Sequence, residues 1–197
     1  MIKNIIFDLG GVILQNSPIT IMDHLKIDSL HYNLIYKHFF SNLSILDKGY
    51  ISLEEYLSKC NLPIMLKNKY KQILFHYYKY RKYNDDIIEI INILKENKYK
   101  IYILSNNNKE TYNFLIHQDI FKNIDGWIIS CNYHICKPEK EIYNILLEKH
   151  HLKNSECFFI DDNEKNIETA KALGIKGVVF TDTYLLQKDM RENKIQI

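Results

Sequence analysis

The chain has 197 residues, 46% of them hydrophobic and 25% charged, with a formal net charge of +2. That is long enough for one well-cored domain carrying an insertion, and the composition is ordinary for a globular protein. The charge balance argues neither for nor against a polyanionic partner, and no apolar run approaches the ~18 residues that span a bilayer.

Met1-Ile2-Lys3-Asn4 runs straight into an apolar strand, so no signal peptide and a cytoplasmic location are expected. Cys60, Cys131, Cys136 and Cys157 form no CxxC pair and have no histidines at zinc spacing, and they read as structural thiols. The abundance of Lys, Asn, Ile and Tyr reads as a genome-wide bias, so a Lys/Tyr cluster carries little weight by itself.

Ile5–Phe7 is a short β-branched run of the kind found in the interior of a parallel sheet, and it delivers Asp8 at its carboxyl end. Ligands bind outside the carboxyl ends of such strands. Gly10 and Gly11 follow at once, where the backbone can pass close to a ligand. From about Pro18 to Tyr83 the pattern predicts helices and no strand. These are Ile19–Leu25 behind Pro18, His31–Phe40 with Leu34, Ile35, His38 and Phe39 on one face, a helix opened by the capping box Ser52–Glu55, and Leu66–Tyr80. Asp47–Tyr50 reads as a turn.

Regular alternation follows. Asn84 is expected to cap a helix with Ile87, Ile88, Ile90, Ile91 and Leu94 inward. Lys100–Leu104 is a strand ending in Ser105-Asn106-Asn107, and a helix covers Glu110–His117. Gly126–Ile129 is a strand, a loop carries Lys137-Pro138, and a helix covers Glu139–His150. Cys157–Ile160 is a strand ending in Asp161-Asp162. Asn163 caps Glu164–Leu173, Gly174 closes that helix, and Gly177–Phe180 is the last strand. Strands alternating with amphipathic helices specify a doubly wound parallel α/β sheet with an inserted helical cap.

Asp8, Ser105-Asn106, Lys137 and Asp161-Asp162 thus fall at or just beyond strand ends. Each has a structural explanation alone, as an N-cap or a solvated loop residue. Together, two carboxylates suit Mg²⁺, a hydroxyl and free N–H groups suit phosphate oxygens, and a lysine supplies fixed positive charge. That is the equipment of phosphoryl transfer to an aspartate nucleophile.

The motifs FDLGGV (Phe7–Val12), LSNNN (Leu104–Asn108), Lys137-Pro138 and FFIDDNEKNI (Phe158–Ile167) resemble the haloacid dehalogenase (HAD) superfamily. Within it the chain is similar to small bacterial sugar-phosphate phosphatases of the alpha-glucose-1-phosphatase type. The resemblance implies a HAD-like Rossmannoid core over 1–14 and 84–197 and a C1-type cap over 15–83. It also implies that Asp8 attacks phosphorus, that Asp8, the Gly10 carbonyl and Asp162 hold Mg²⁺, and that Ser105 and the Asn106 N–H bind phosphoryl oxygens. Lys137 would pair with Asp8 and the phosphate, with Asp161 and Asn166 behind them.

One departure stands out. Most HAD phosphatases carry a second aspartate two residues after the nucleophile, as general acid and base, and here that position is Gly10. Such help is worth about 10²–10⁴ in rate. The proton would then come from the cap, with Asp47 and His24 as candidates, or from the substrate, or the leaving group would need none.

The expected function is a Mg²⁺-dependent phosphatase of a small phosphate ester, possibilities for assembly being monomer or homodimer. The alternative is a catalytically weak phosphate-ligand binder. A 2-haloacid dehalogenase is disfavoured because no arginine stands between Leu9 and Tyr80 to receive halide. A receiver domain is excluded because its acidic pair comes on the first strand and its phosphorylated Asp later. Lys67–Tyr83 interleaves basic and aromatic residues, but Leu66, Tyr70, Ile73, Leu74, Tyr77 and Tyr80 recur at helical spacing, so a packed face is expected there and no nucleic acid.

Overall fold

A computed structural model describes residues 1–15, 22–23, 26–75 and 77–197. The strand β1 (Asn4–Phe7) is buried along its whole length and pairs in parallel with β4 (Lys100–Ser105) on one side and β6 (Cys157–Asp161) on the other. In this register Phe7 lies between Ile103 and Ile160. β5 (Gly126–Ile129) and β7 (Lys176–Val179) complete a parallel sheet of order β5-β4-β1-β6-β7. The chain leaves β1 toward β4 and β5 and returns past β1 to β6 and β7. The carboxyl end of β1 is therefore the switch point, where a doubly wound sheet opens a crevice.

Period-two alternation divides the sheet between two apolar layers. Ile5 and Phe7 pack with Ile87, Ile90, Ile91 and Leu94 of α5 (Asp85–Glu96) and with Leu186 and Met190 of α9 (Thr183–Glu192). Ile6, Tyr102 and Phe159 face Ile142, Tyr143 and Leu146 of α7 (Lys140–Lys149) and Ile167 of α8 (Glu164–Ala172). α6 (Lys109–Leu115) follows β4.

A third apolar cluster lies within residues 22–77, formed by α1 (Ser29–His38), α2 (Ser44–Asp47), α3 (Leu53–Lys59) and α4 (Ile64–Phe75) with the segments joining them. Ile35, Phe39, Leu46, Leu53 and Leu74 are fully buried there, and Phe39 meets Phe40, Tyr56 and Tyr77 edge-on. The chain enters and leaves this block through two short antiparallel strands, β2 (Leu14–Gln15) and β3 (Lys82–Tyr83), with Leu14 opposite Tyr83.

Several expectations need correction. Lys82–Tyr83 is a strand where none was expected; two residues carry no readable periodicity. Leu34 is 38% exposed, because the buried stripe of α1 runs through Ile35 to Phe39. Asn84 occupies the cap position of α5 without a side-chain cap bond. Ile88 is only partly buried. α9 was not expected at all.

Ser52 does cap α3, its Oγ accepting from the Glu55 N–H (3.1 Å). Tyr70, Leu74 and Tyr77 are buried on the face read from Lys67–Tyr83. The helix expected over Ile19–Leu25 lies largely outside the described residues, as do His24 and Pro18, and the side chains of Ile73 and Tyr80 are likewise outside them.

Candidate active site

Asp8 continues the sheet by one hydrogen bond, its N–H donating to Ile160 O (2.9 Å), before the chain turns away. The turn closes by Gly11 N–H to Leu14 O (2.8 Å) and Leu14 N–H to Leu9 O (2.7 Å), with Gly10 bridged to Leu14. Gly11 takes φ +77°, and a Cβ there would lie 2.0 Å from Asp162 Oδ2. The left-handed backbone favours glycine, and a Cβ there would also force the Asp162 carboxylate to shift.

The Asp8 side chain is 10% exposed. Its Oδ1 accepts from the Leu9 N–H at 2.7 Å and lies 2.9 Å from Lys137 Nζ. Both donors address the same oxygen.

Lys137 reaches this point from the loop before α7, its side chain 1% exposed. Nζ donates to Asp161 Oδ2 (2.6 Å) as well. The other Asp161 oxygen accepts from the Asn163 N–H and from Asn166 Nδ2, each at 2.9 Å. Asp161 and Asn166 thus stand behind Lys137 as its support. On the opposite side Asn106 holds the Lys137 backbone from both ends: Oδ1 accepts from its N–H (2.8 Å) and Nδ2 donates to its carbonyl (3.0 Å). The Lys137-Pro138 peptide is cis.

Ser105, at the end of β4, is buried, and its Oγ accepts from Asn107 Nδ2 (2.8 Å). Its own hydroxyl proton therefore remains for another acceptor. Asn107 is a hub: its N–H donates to Ser130 Oγ (3.0 Å) and its Oδ1 accepts from Arg81 Nη1 (3.2 Å). The cap of α6 is Asn108, whose Oδ1 accepts from the Thr111 N–H (2.9 Å).

Ser130, Asn107 and Arg81 were missed by sequence reasoning. Ser130 carried the same signal as Ser105, a hydroxyl just past a buried strand. Arg81 carried another, being one of only two arginines among 26 basic residues.

Burial pushes the Asp8 carboxyl up to about 6; Lys137 opposes the shift, and the charges of Asp161 and Asp162 add to it. For Lys137, burial works against the charged form, but Asp8 and Asp161 outweigh it and hold its pKa above the ordinary value. Asp162, more exposed, is raised by partial burial and then by Asp161.

One ligand oxygen from each of Asp8, Asp161 and Asp162 lies within 4.8 Å of the others. Three carboxylates face one ammonium group, a hard-oxygen, net-negative set that fits Mg²⁺. Asp161 already spends both oxygens on Lys137, Asn163 and Asn166, so of the three Asp8 and Asp162 are the ones that could hold a metal ion. The structure therefore gathers Asp8, Lys137, Asp161, Asp162 and Asn166 at one point, with Asn106 on the Lys137 backbone, Ser105 at the end of the neighbouring strand β4 and Gly10 in the turn.

The sequence profile of the haloacid dehalogenase-like hydrolases matches residues 2–174. The chain belongs to that family of hydrolases. It is 25% identical over 191 residues to D-ribitol-5-phosphate phosphatase of Bacteroides thetaiotaomicron, covering 89% of this chain and 90% of that one. A HAD-family enzyme of the same organism, solved with magnesium and inorganic phosphate, superposes with a TM-score of 0.71 at 24% identity, covering 94% of this chain and 99% of that one. A HAD-like hydrolase of Porphyromonas gingivalis superposes with a TM-score of 0.73 at 22% identity over 100% of both chains. Among the described residues no helix is long and apolar enough to cross a membrane.

Proposed function

We propose that the chain is a Mg²⁺-dependent phosphatase that hydrolyses a small phosphorylated metabolite, a sugar or polyol phosphate, through an aspartyl-phosphate on Asp8. The observation that carries this reading is the state of Asp8: a carboxylate at the sheet's switch point, with Oδ1 fixed by Lys137 and the Leu9 N–H. Oδ2 is then the oxygen for attack on phosphorus. The similarity to a ribitol-phosphate phosphatase supports the substrate class.

Asp8, the Gly10 carbonyl and Asp162 would hold Mg²⁺, which when bound supplies positive charge opposite the transferring phosphoryl oxygens. Ser105 donates its hydroxyl, and Asn106 its N–H, to those oxygens. Lys137 stays charged throughout and neutralises the group as it moves onto Asp8. Water then attacks phosphorus, the bond to Asp8 breaks, and phosphate leaves. The helical block within 15–83 is read as a cap that excludes water and selects the organic part of the substrate, over a core of 1–14 and 84–197. Four buried free cysteines support a reducing, cytoplasmic setting.

A second reading, a phosphate-ligand binder with little turnover, is favoured by one observation, the absence of a carboxyl at Gly10. The deciding experiment is phosphate release from p-nitrophenyl phosphate and a panel of sugar and pentitol phosphates, with Mg²⁺ and with EDTA. Mg²⁺-dependent release supports the phosphatase. A folded protein that binds Mg²⁺ and phosphate but releases none from any ester would replace it with the binder.

A further inference from the structure

The proposed reaction needs a proton at the leaving oxygen and a base for the attacking water, and Gly10 can supply neither. Among the described residues, the carboxyl groups whose charges act on Asp8 or respond to it are Asp161, Asp162 and Asp47, and the Tyr143 phenol, which also responds to it, is spent on the Asn166 carbonyl. Asp161 is committed to Lys137, Asn163 and Asn166, and Asp162 to the Mg²⁺ site. Asp47 has neither duty.

Asp47 ends α2, in the helical block, and its position is set from the sheet side. Its carbonyl accepts from Ser130 Oγ (2.5 Å). Ser130 Oγ in turn accepts from the Asn107 N–H, and Asn107 Nδ2 donates to Ser105. Three hydrogen bonds therefore tie the backbone of Asp47 to the hydroxyl read as a phosphate donor.

The next residues fasten the same turn to the loop that carries Lys137. His134 Nδ1 donates to Lys48 O (2.7 Å), Lys48 Nζ pairs with Glu139 (2.9 Å), and the Tyr50 ring stacks on His134 at 5.1 Å. Gly49, at φ +71°, lies so close that a Cβ would fall 2.5 Å from Cys131 O. These contacts hold the backbone of Asp47 against the loops that carry Ser130 and Lys137.

We infer that Asp47 is the general acid and base of this site, working from the helical block in place of the carboxyl missing at Gly10. The inference rests on the phosphatase reading above. As Asp8 Oδ2 forms its bond to phosphorus and the ester P–O bond breaks, the Asp47 carboxyl gives its proton to the departing alkoxide oxygen. The resulting carboxylate takes a proton from the water that attacks the aspartyl-phosphate. The P–O bond to Asp8 breaks, and phosphate leaves with Asp8 and protonated Asp47 restored.

The surroundings suit a group that must begin protonated. The charged and titratable groups that interact electrostatically with its carboxyl are Arg81 beside β3, Asp8 on the sheet, Tyr56 and Tyr77 within the block, and Cys131 and Cys136 beyond β5. Burial raises the Asp47 carboxyl to about 7, the Arg81 charge opposes this, and Asp8 adds to it. An acid at that level serves both directions of proton transfer near neutrality.

Asp47→Asn tests the assignment through the leaving group. On an alkyl phosphate such as a pentitol phosphate, kcat/KM is expected to fall about 10²–10⁴-fold. On p-nitrophenyl phosphate, whose leaving group needs no proton, the first burst of p-nitrophenolate is expected to persist while steady turnover slows and phosphorylated Asp8 accumulates. Gly10→Asp added to the variant should restore part of the alkyl-phosphate activity.

A purely structural role would depress both substrates alike, without a burst, and would overturn the inference. So would an Asp47→Asn enzyme within threefold of wild type on the alkyl phosphate. Asp47→Ser undergoes the same comparison should the amide variant fail to fold. Wild-type protein inactive on every ester overturns the phosphatase reading instead, an outcome visible before any variant is made.

Discussion

Lys137 Nζ lies nearer to Asp161 Oδ2 (2.6 Å) than to Asp8 Oδ1 (2.9 Å). The carboxylate that no chemistry consumes is thus the closer partner of the buried ammonium. When Asp8 is esterified it loses its full negative charge, and Asp161 remains to keep Lys137 ionised and in place. Asp161→Asn preserves shape and removes that charge. Breaking a buried pair on one side costs about 3–5 kcal/mol. Equilibrium denaturation should show a loss in that range, with phosphate release reduced as well; a loss below about 1 kcal/mol would mean that Asp8 alone suffices for Lys137.

Asp8→Asn separates chemistry from stability. An amide is not a nucleophile here, so phosphate release should fall to background. The fold should not suffer in the same way, because burial already disfavours the Asp8 charge, as its raised pKa records. The melting temperature of the metal-free variant at neutral pH is expected to equal or exceed that of wild type. Substantial residual release would remove Asp8 from its role as nucleophile.

The parts of this site that were legible in the sequence are those written locally. A buried apolar run that ends in polar residues marks Asp8, Ser105 and Asp161, because the core fixes where each strand stops. Other features depend on chain segments far apart and leave no local trace. The bond from Ser130 to Asp47 joins positions 83 apart, and that from Arg81 to Asn107 joins positions 26 apart. α9 was missed because only Leu186 and Met190 are fully buried among polar neighbours, too few to set a period. Leu34 was misplaced because adjacent apolar residues on a short helix allow more than one choice of face, and tertiary packing chose Ile35.

Gly11→Ala tests the turn that follows Asp8. The left-handed backbone costs a residue with a Cβ about 1–2 kcal/mol, and the added carbon would lie 2.0 Å from Asp162 Oδ2. Asp162 must move, so calorimetry should show Mg²⁺ binding weakened at least about tenfold, equivalent to ~1.4 kcal/mol. Unchanged Mg²⁺ affinity in a folded Gly11→Ala protein would remove Asp162 from the ligand set.

The metal-free protein should lose stability as pH rises through the window that Asp8 and Asp47 define. Both carboxyls ionise near 3.8 when unfolded, but in the fold they hold their protons to about 6 and about 7. Between those limits the folded state binds more protons than the unfolded one, so unfolding becomes easier with every step upward in pH. Below 3.8 the penalty is absent, and above about 7 it is complete. Carboxylates lowered by lysine partners, such as Asp28 at about 2 and Glu139, act in the opposite sense at more acidic pH, and His150, lowered by burial, offsets part of the slope only up to its ordinary pKa of 6.5. Melting temperatures taken between about pH 5 and 8, the range where His and raised carboxyls titrate, should therefore fall without Mg²⁺. Saturating Mg²⁺ should restore more stability at the alkaline end, where no proton competes for Asp8, than at the acid end. Asp8→Asn should flatten the slope and abolish most of the restoration. A wild-type profile that rises across this window would show that the buried carboxylates are ionised at little cost, and that Lys137 alone balances them.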